Sequence, residues 1–112
     1  MNHKEISDAI RSIVAFLPQN DEELDAATTP QLANEPRLNL FEARRQMEKV
    51  CVRLGARDAE LKSTVRDIIE LLPNDYPHFE QAISRPDGRS IARQNLTAAK
   101  AKLYTLLGRE EK

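Results

Sequence analysis

The apolar residues of this chain recur at intervals of three and four, and prolines divide them into separate segments. Ile6, Ile10, Ile13 and Leu17 show this spacing first, and Pro18 follows the last of them. Side chains at such intervals line one face of an α-helix. Aromatic residues make up only 4% of the chain and tryptophan is absent, so the core must rest on Leu, Ile, Val and Ala. The pattern predicts an all-α fold, a helical bundle in which each helix buries one apolar face.

The amino-terminal part of the chain predicts one long helix followed by a short one. Asn2 is placed to cap a helix over 3–17, and Glu5 completes the capping-box pattern. A short helix is expected over 21–27, in the acidic stretch that follows the first long helix.

The middle of the chain carries the longest apolar series and allows two interpretations. Its members lie seven residues apart: Leu40, Met47, Leu54, Leu61 and Ile68. The continuous stripe favours one unbroken helix over 39–72, because an interior glycine costs only about 1 kcal/mol relative to alanine. The alternative is a break in which Gly55 ends one helix and Asp58 caps the next. A gap in the stripe at Arg57 and Asp58 supports the break, but the unbroken helix is the favoured interpretation.

The remaining segments predict a short helix, a turn and a last long helix. Asp75 is placed to cap the short helix, which should end near Ile83. The sequence Arg-Pro-Asp-Gly at 85–88 indicates a turn. The last helix is expected over 89–107, with Gly108 as its stop signal.

The chain also matches itself when it is shifted by 55 residues, or by 56 after a one-residue insertion. Helical periodicity alone does not explain the matches Pro18 with Pro73, Pro30 with Pro86, Arg11 with Arg66 and Asn39 with Asn95. They predict an internal repeat of residues 3–54 and 58–108 within a single all-α domain, 1–112, because neither unit could bury its apolar face alone. If one helix joined the two units, a homodimer formed by exchange would be an alternative to the monomer.

Net charge is only −1, yet the charge is unevenly distributed. Residues 19–36 contain acidic residues and no Lys or Arg, with Asp21, Glu22 and Glu23 in succession. This acidic segment is either a recognition loop or, as we favour, a set of charges that stabilises the start of the short helix.

Residues 85–109 contain six basic side chains against one acidic side chain. On the last helix, Arg89, Arg93 and Lys100 form one flank, and Arg85 precedes them. We call these four residues the basic ridge. The ridge could bind an acidic protein surface or phosphates. Alternatively, it contacts the acidic segment of the same molecule or is solvated.

Catalytic and metal-binding patterns are not recognisable in the sequence. His3, His78 and Cys51 are scattered, whereas a structural zinc site gathers four ligands at short spacings. The serines lie outside any strand–turn–helix elbow, and the three glycines form no phosphate-binding loop. We therefore expect no enzyme activity, no metal and no cofactor. Cys51 is interpreted as a buried small apolar residue.

A lone cysteine fits a reducing compartment, and no stretch approaches the roughly 20 apolar residues of a membrane span. The expected location is therefore the cytoplasm, without membrane contact. The hypothesis that follows is a non-catalytic protein-binding module, a small regulator, inhibitor or adaptor. It would use the acidic segment or the basic ridge. The alternative is a nucleic-acid-binding protein that uses the basic C-terminal helix.

Overall fold

The computed structural model describes residues 1–55 and 58–111, and that part of the chain forms six helices and no strand. The helices are α1 (His3–Val14), α2 (Asp21–Ala27), α3 (Glu35–Arg53), α4 (Ala59–Leu71), α5 (Tyr76–Ile83) and α6 (Pro86–Glu110). The prediction of an all-α bundle is confirmed.

The four long helices form a bundle in which neighbours run in opposite directions. Helix α1 packs against α3 and α6, and α4 packs against the same two helices. Glu5 near the start of α1 bonds Arg53 at the end of α3, at 2.9 Å. His3 contacts Glu110, so the start of α1 also lies beside the end of α6. This is the up-down-up-down arrangement of a four-helix bundle. The short helices α2 and α5 pack against α3 and α6, respectively.

The core consists of apolar side chains from all six helices. Those exposed by 1% or less are Ile13, Ala27, Leu40, Ala43, Met47, Val65, Ile68, Ile83, Ala99 and Leu103. Leu61 of the seven-residue series is only half-buried and packs against the edge of this core. Cys51 is likewise half-buried and packs against the core, so it is less buried than the sequence predicted.

The starts of the first two helices follow local capping rules. The side chain of Asn2 accepts a bond from the backbone N–H of Glu5 at 2.8 Å, and Glu5 accepts the N–H of Asn2 at 3.1 Å. The predicted capping box is therefore confirmed. Asn20 caps α2 in the same way, through the N–H of Glu23 at 2.8 Å. The bounds of α2 agree with the short helix predicted over 21–27.

The unbroken helix over 39–72 is wrong. Helix α3 ends at Arg53, and Leu54 is extended, with φ −72° and ψ 133°. Asp58 does not cap α4 with its side chain but accepts the N–H of Gly55, at 3.3 Å. Arg57, part of the gap in the stripe, lies outside the described residues. The reversal lets Val65 and Ile68 of α4 reach the core, whereas a straight helix would have carried them away from it. The proposed exchange dimer loses the joining helix on which it depended.

Two predicted boundaries of α6 are also wrong. The segment predicted as a turn, 85–88, includes the first residues of α6, which begins at Pro86. Proline suits the first helical turn because its missing N–H has no partner to lose there. Helix α6 also continues through Gly108 to Glu110. Similarly, α3 begins at Glu35 with Pro36 in its first turn, and not near residue 39.

The helix contacts have an internal symmetry. Replacing α1, α2 and α3 by α4, α5 and α6, and the reverse, converts the contact of α1 with α3 into that of α4 with α6. It also converts the contact of α2 with α3 into that of α5 with α6. The contact of α1 with α6 and the contact of α3 with α4 are converted into each other. The set of principal helix contacts is unchanged by this exchange.

Gly88 permits a close approach between α5 and α6. A Cβ atom at this position would lie 2.0 Å from the carbonyl oxygen of Ala82, and that oxygen is backbone and cannot turn aside. A Cβ atom at Gly108, in the same helix, would meet nothing within 4 Å. The two glycines of α6 therefore differ in the space around them.

We expect Gly88→Ala and Gly108→Ala to change stability in opposite directions. Gly88→Ala should lower the free energy of unfolding by more than about 1 kcal/mol, because α5 and α6 must separate. Gly108→Ala should raise it by about 0.4–1 kcal/mol, because alanine restricts the unfolded chain and fits the helix. Urea denaturation of both variants measures the difference. Effects of the same sign would contradict this account of Gly88.

Candidate functional site

The basic ridge is largely occupied by contacts within the molecule. Arg93 forms an ion pair with Asp25 of α2. Lys100 donates to the carbonyl oxygen of Pro18 at 2.9 Å, and its Nζ lies 5.9 Å from the centre of the Tyr104 ring. Arg89 donates to the carbonyl oxygen of Ile83 at 3.3 Å. Three of the four ridge side chains therefore contact other segments of the chain: α2, the segment after α1 and the last residue of α5.

Arg85 differs from the other ridge residues. It precedes the first turn of α6 as the N-cap residue, and it is exposed. It is therefore the ridge residue whose side chain is most accessible to another molecule.

The acidic residues Asp21, Glu22 and Glu23 form the first turn of α2, and all three are exposed. Negative charge at this position interacts favourably with the helix dipole. Glu23 also accepts the N–H of Gln19 at 3.0 Å. Asp21 and Glu22 project into solvent beside the ion pair of Arg93, so α2 presents an acidic surface next to α6.

Among the charged residues that the structure describes, Arg37 has the most deeply buried side chain, and the sequence did not single it out. Its side chain is 3% exposed, and Nε donates to Glu80 of α5 at 3.1 Å. Its other nitrogens donate to the carbonyl oxygens of Thr29, Ala33, Pro30 and Leu32, at distances from 2.8 to 3.3 Å. The guanidinium thus shapes the connection between α2 and α3 and ties it to α5. The match of Arg37 with Arg93 in the repeat was the available signal.

Arg44 closes the end of α4. Its Nη1 donates to the carbonyl oxygens of Ile69 at 2.9 Å and Leu72 at 2.8 Å. The last carbonyl groups of a helix lack partners within the helix, and basic side chains satisfy them. Lys100 donates to the carbonyl oxygen of Pro18, which lies beyond the end of α1, whereas the side-chain amide of Gln19 donates to the helix carbonyl of Val14 at 2.8 Å.

These polar contacts occur in corresponding pairs under the shift of 55 or 56 residues. Arg37 with Glu80 corresponds to Arg93 with Asp25, and Arg44 at the end of α4 corresponds to Lys100 just beyond the end of α1. The pair Arg53 with Glu5 corresponds to Arg109 with Glu60, at 2.9 and 3.9 Å. The shift thus maps each of these three contacts onto another contact of the structure.

Three clefts lie at the end of the bundle that carries α2 and α5. The α2–α6 cleft, of about 180 Å³, is lined by residues that include Pro18, Asp21, Leu24, Leu96 and Thr97. The α2–α3 cleft, of about 110 Å³, is lined by residues that include Phe16, Ala26 and Asn39. The α5–α6 cleft, of about 160 Å³, is lined by residues that include Leu71, Phe79, Ile91 and Asn95. The last two clefts occupy corresponding places in the two halves.

Two glutamates have lowered pKa values, and neither lines these clefts. The pKa of Glu5 is lowered chiefly by the hydrogen bond from the backbone of Asn2, and Arg53 lowers it further. The pKa of Glu42 is lowered by hydrogen bonds from the side chains of Gln46 and Arg45. A carboxyl group whose pKa is lower in the folded chain than in the unfolded chain stabilises the fold at pH values above its unfolded pKa. This stabilisation is lost as the pH falls through the folded pKa. Both groups therefore serve helix structure.

Comparison of the chain with family models, curated proteins and solved structures found no match. Within residues 1–55 and 58–111, no three His, Cys, Asp or Glu side chains are grouped so that they could hold a metal ion. In the same part of the chain, no helix combines the length and apolar character that crossing a membrane requires.

We expect Arg37→Lys to lower the free energy of unfolding by about 1–3 kcal/mol, because one ammonium group cannot satisfy the carboxylate and carbonyl acceptors that the guanidinium serves. Arg45→Lys is the matched control: Arg45 pairs with Glu42 on α3, and its side chain is 65% exposed. That variant should stay within about 0.5 kcal/mol of the native protein. Urea denaturation measures both, and an equally small effect at the two sites would show that the Arg37 network is not stabilising.

Proposed function

We propose that the chain is a non-catalytic protein-binding module of the cytoplasm, a small regulator, inhibitor or adaptor, and that α2 and the adjoining face of α6 form its contact surface. The observation that carries the proposal is the exposed acidic turn of α2 beside the α2–α6 cleft. Such a surface combines charge, which favours oriented encounter, with apolar side chains that a partner can cover.

The contrast between the two charged segments supports this choice of surface. Arg93 and Lys100 already bond Asp25 and Pro18, so a partner would have to compete with these contacts. Asp21 and Glu22 are both exposed, so a partner can contact them without such competition. The alternative, nucleic-acid binding by the basic ridge, would need Arg93 and Lys100 to turn from these partners toward phosphates.

The proposal is tested by capture of host-cell proteins on the immobilised chain. The test variant combines Asp21→Asn, Glu22→Gln and Glu23→Gln. Its control combines Asp67→Asn, Glu70→Gln and Asp75→Asn, which remove three exposed acidic charges from α4 and the start of α5. We expect the native protein and the control to retain the same partner, and the α2 variant to lose at least tenfold of the captured amount by quantitative mass spectrometry.

Equal capture by the α2 variant and the native protein would remove α2 from the contact surface. Binding of random duplex DNA by the native protein at physiological salt, insensitive to the α2 substitutions, would favour the nucleic-acid alternative.

We further infer that residues 3–54 and 58–108 are tandem copies of one unit. Three pairs of contacts support the inference, because the partners in each contact lie far apart in the sequence and the shift of 55 or 56 residues maps each contact onto another one. Chance similarity between amphipathic helices accounts for matched leucines but not for matched partners. Neither copy buries its apolar face alone, so the two share one core.

An experimental structure tests the repeat by superposition of the two units. We expect Pro18 and Pro73 to occupy equivalent helix exits and Leu40 and Leu96 to occupy equivalent core positions. Unrelated surroundings for either pair would contradict the duplication.

A further inference from the structure

Three of the five aromatic residues lie together between α3 and α5. The ring centre of Phe41 is 5.5 Å from that of Tyr76 and 6.0 Å from that of Phe79. Such tilted and edge-on arrangements are favourable beyond the burial of apolar area. Aromatic rings therefore fill the space between α5, in the second half of the chain, and the first turns of α3, in the first half.

The corresponding space lies between α2 and α6, and aromatic rings do not fill it. Under the shift of 55 or 56 residues, Phe41 corresponds to Thr97, Tyr76 to Asp21 and Phe79 to Leu24. These three residues line the α2–α6 cleft, of about 180 Å³. The space between α3 and α5 thus contains three rings, whereas the space between α2 and α6 has a threonine, an aspartate and a leucine beside an open cleft.

We propose that the α2–α6 cleft binds a phenylalanine or tyrosine side chain from a protein segment that also carries Lys or Arg. The proposal deepens the proposed function, on which it rests for the use of α2 as a contact surface. The occupant of the corresponding space, the ring of Phe41, indicates the chemistry that this position accommodates.

The size and the lining of the cleft suit one ring. An enclosed cavity of about 150 Å³ with an apolar lining binds benzene, so the volume of this cleft is enough for one ring. The cleft itself is open to solvent and mixed in lining, and its polar members are Gln19, Asn20, Asp21, Thr97 and Lys100. Leu96 forms part of the lining and is 2% exposed, and the half-buried Leu24 and Pro18 add further apolar surface. A ring entering here would contact aliphatic groups without displacing a helix.

The charge around the cleft favours a basic segment. Asp21 lies in the lining, and Glu22 lies next to it on α2. Lys100 also lines the cleft and remains positively charged, since a hydrogen bond to the carbonyl oxygen of Pro18 does not neutralise it. The three acidic residues in succession, Asp21, Glu22 and Glu23, outnumber this one positive charge. Arg93 is paired with Asp25. Negative charge therefore predominates where the flanking residues of a bound segment would lie.

The first experiment is an NMR titration of the native ¹⁵N-labelled protein. The probe is a blocked pentapeptide with one phenylalanine between two pairs of lysines, and its control has alanine in place of phenylalanine. We expect the phenylalanine peptide to bind at least tenfold more tightly and to shift the amide signals of Leu24, Leu96 and Thr97. Equal affinity of the two peptides, or shifts confined to another surface, would overturn the proposal.

The second experiment fills the cleft from within. Thr97→Phe restores an aromatic side chain at the position that corresponds to Phe41. Thr105→Phe is the matched control, because both threonines lie on α6, are exposed and donate to the carbonyl oxygen four residues earlier, at 2.8 and 3.0 Å. We expect Thr97→Phe to raise the Tm and to weaken peptide binding at least tenfold, and Thr105→Phe to bind as the native protein does.

Unchanged peptide affinity of a folded Thr97→Phe variant would also overturn the proposal. If that variant does not fold, the comparison of the two peptides on the native protein decides alone. The tests separate the two proposals as well. A captured partner that is lost with the α2 charge variant but retained by Thr97→Phe would support the contact surface and reject the aromatic site. Retention by both variants would reject the contact surface.

Discussion

Each long helix of this protein has one apolar face, and that face is buried only where all four helices meet. Leu40, Ile68 and Leu103, from three different helices, are completely removed from solvent in the shared core. Burial of such side chains supplies about 1.5–3 kcal/mol each. The chain must therefore reverse after Arg53, because α4 could not otherwise return its apolar face to the centre. Antiparallel packing and the position of the short helices follow from this reversal.

The reversal brings the ends of helices beside basic side chains from distant parts of the chain. Arg44 satisfies the final carbonyl groups of α4, and Lys100 donates to the carbonyl oxygen of Pro18 in the segment that follows α1. Arg37 holds the connection between α2 and α3 by donating hydrogen bonds to backbone carbonyl oxygens of that connection. Positive charge is consequently used to organise one end of the bundle. Arg85 is exposed near that end, and the first turn of α2 presents three exposed acidic residues there in succession. This distribution is the physical basis for proposing α2 as the contact surface.

Differences between two otherwise corresponding halves are informative about function. Under the proposed repeat, a side chain that fills a space at one position and is replaced at the corresponding position leaves an opening, and the first side chain suggests the chemistry of an occupant. The exchange of Phe41 for Thr97 and of Tyr76 for Asp21 produces such an opening, and it adds a negative charge. Packing alone gives no reason to remove these rings, since aromatic contacts are stabilising. Recognition of a ring supplied by another molecule is a reason that the geometry supports.

The helices, the capping box at Asn2 and Glu5, and the bounds of α2 were determined by sequence alone, because these features depend on residues within one or two turns of one another. The break at Leu54 was not determined by sequence alone. An interior glycine costs only about 1 kcal/mol, which is too little to end a helix by itself. The burial of α4 favours the break, and that burial exists only when the other helices are present. The roles of Arg93 and Lys100 were also decided by tertiary structure: their partners lie 68 and 82 residues away along the chain. Local sequence determined which residues are charged, and packing determined which of those charges remain accessible.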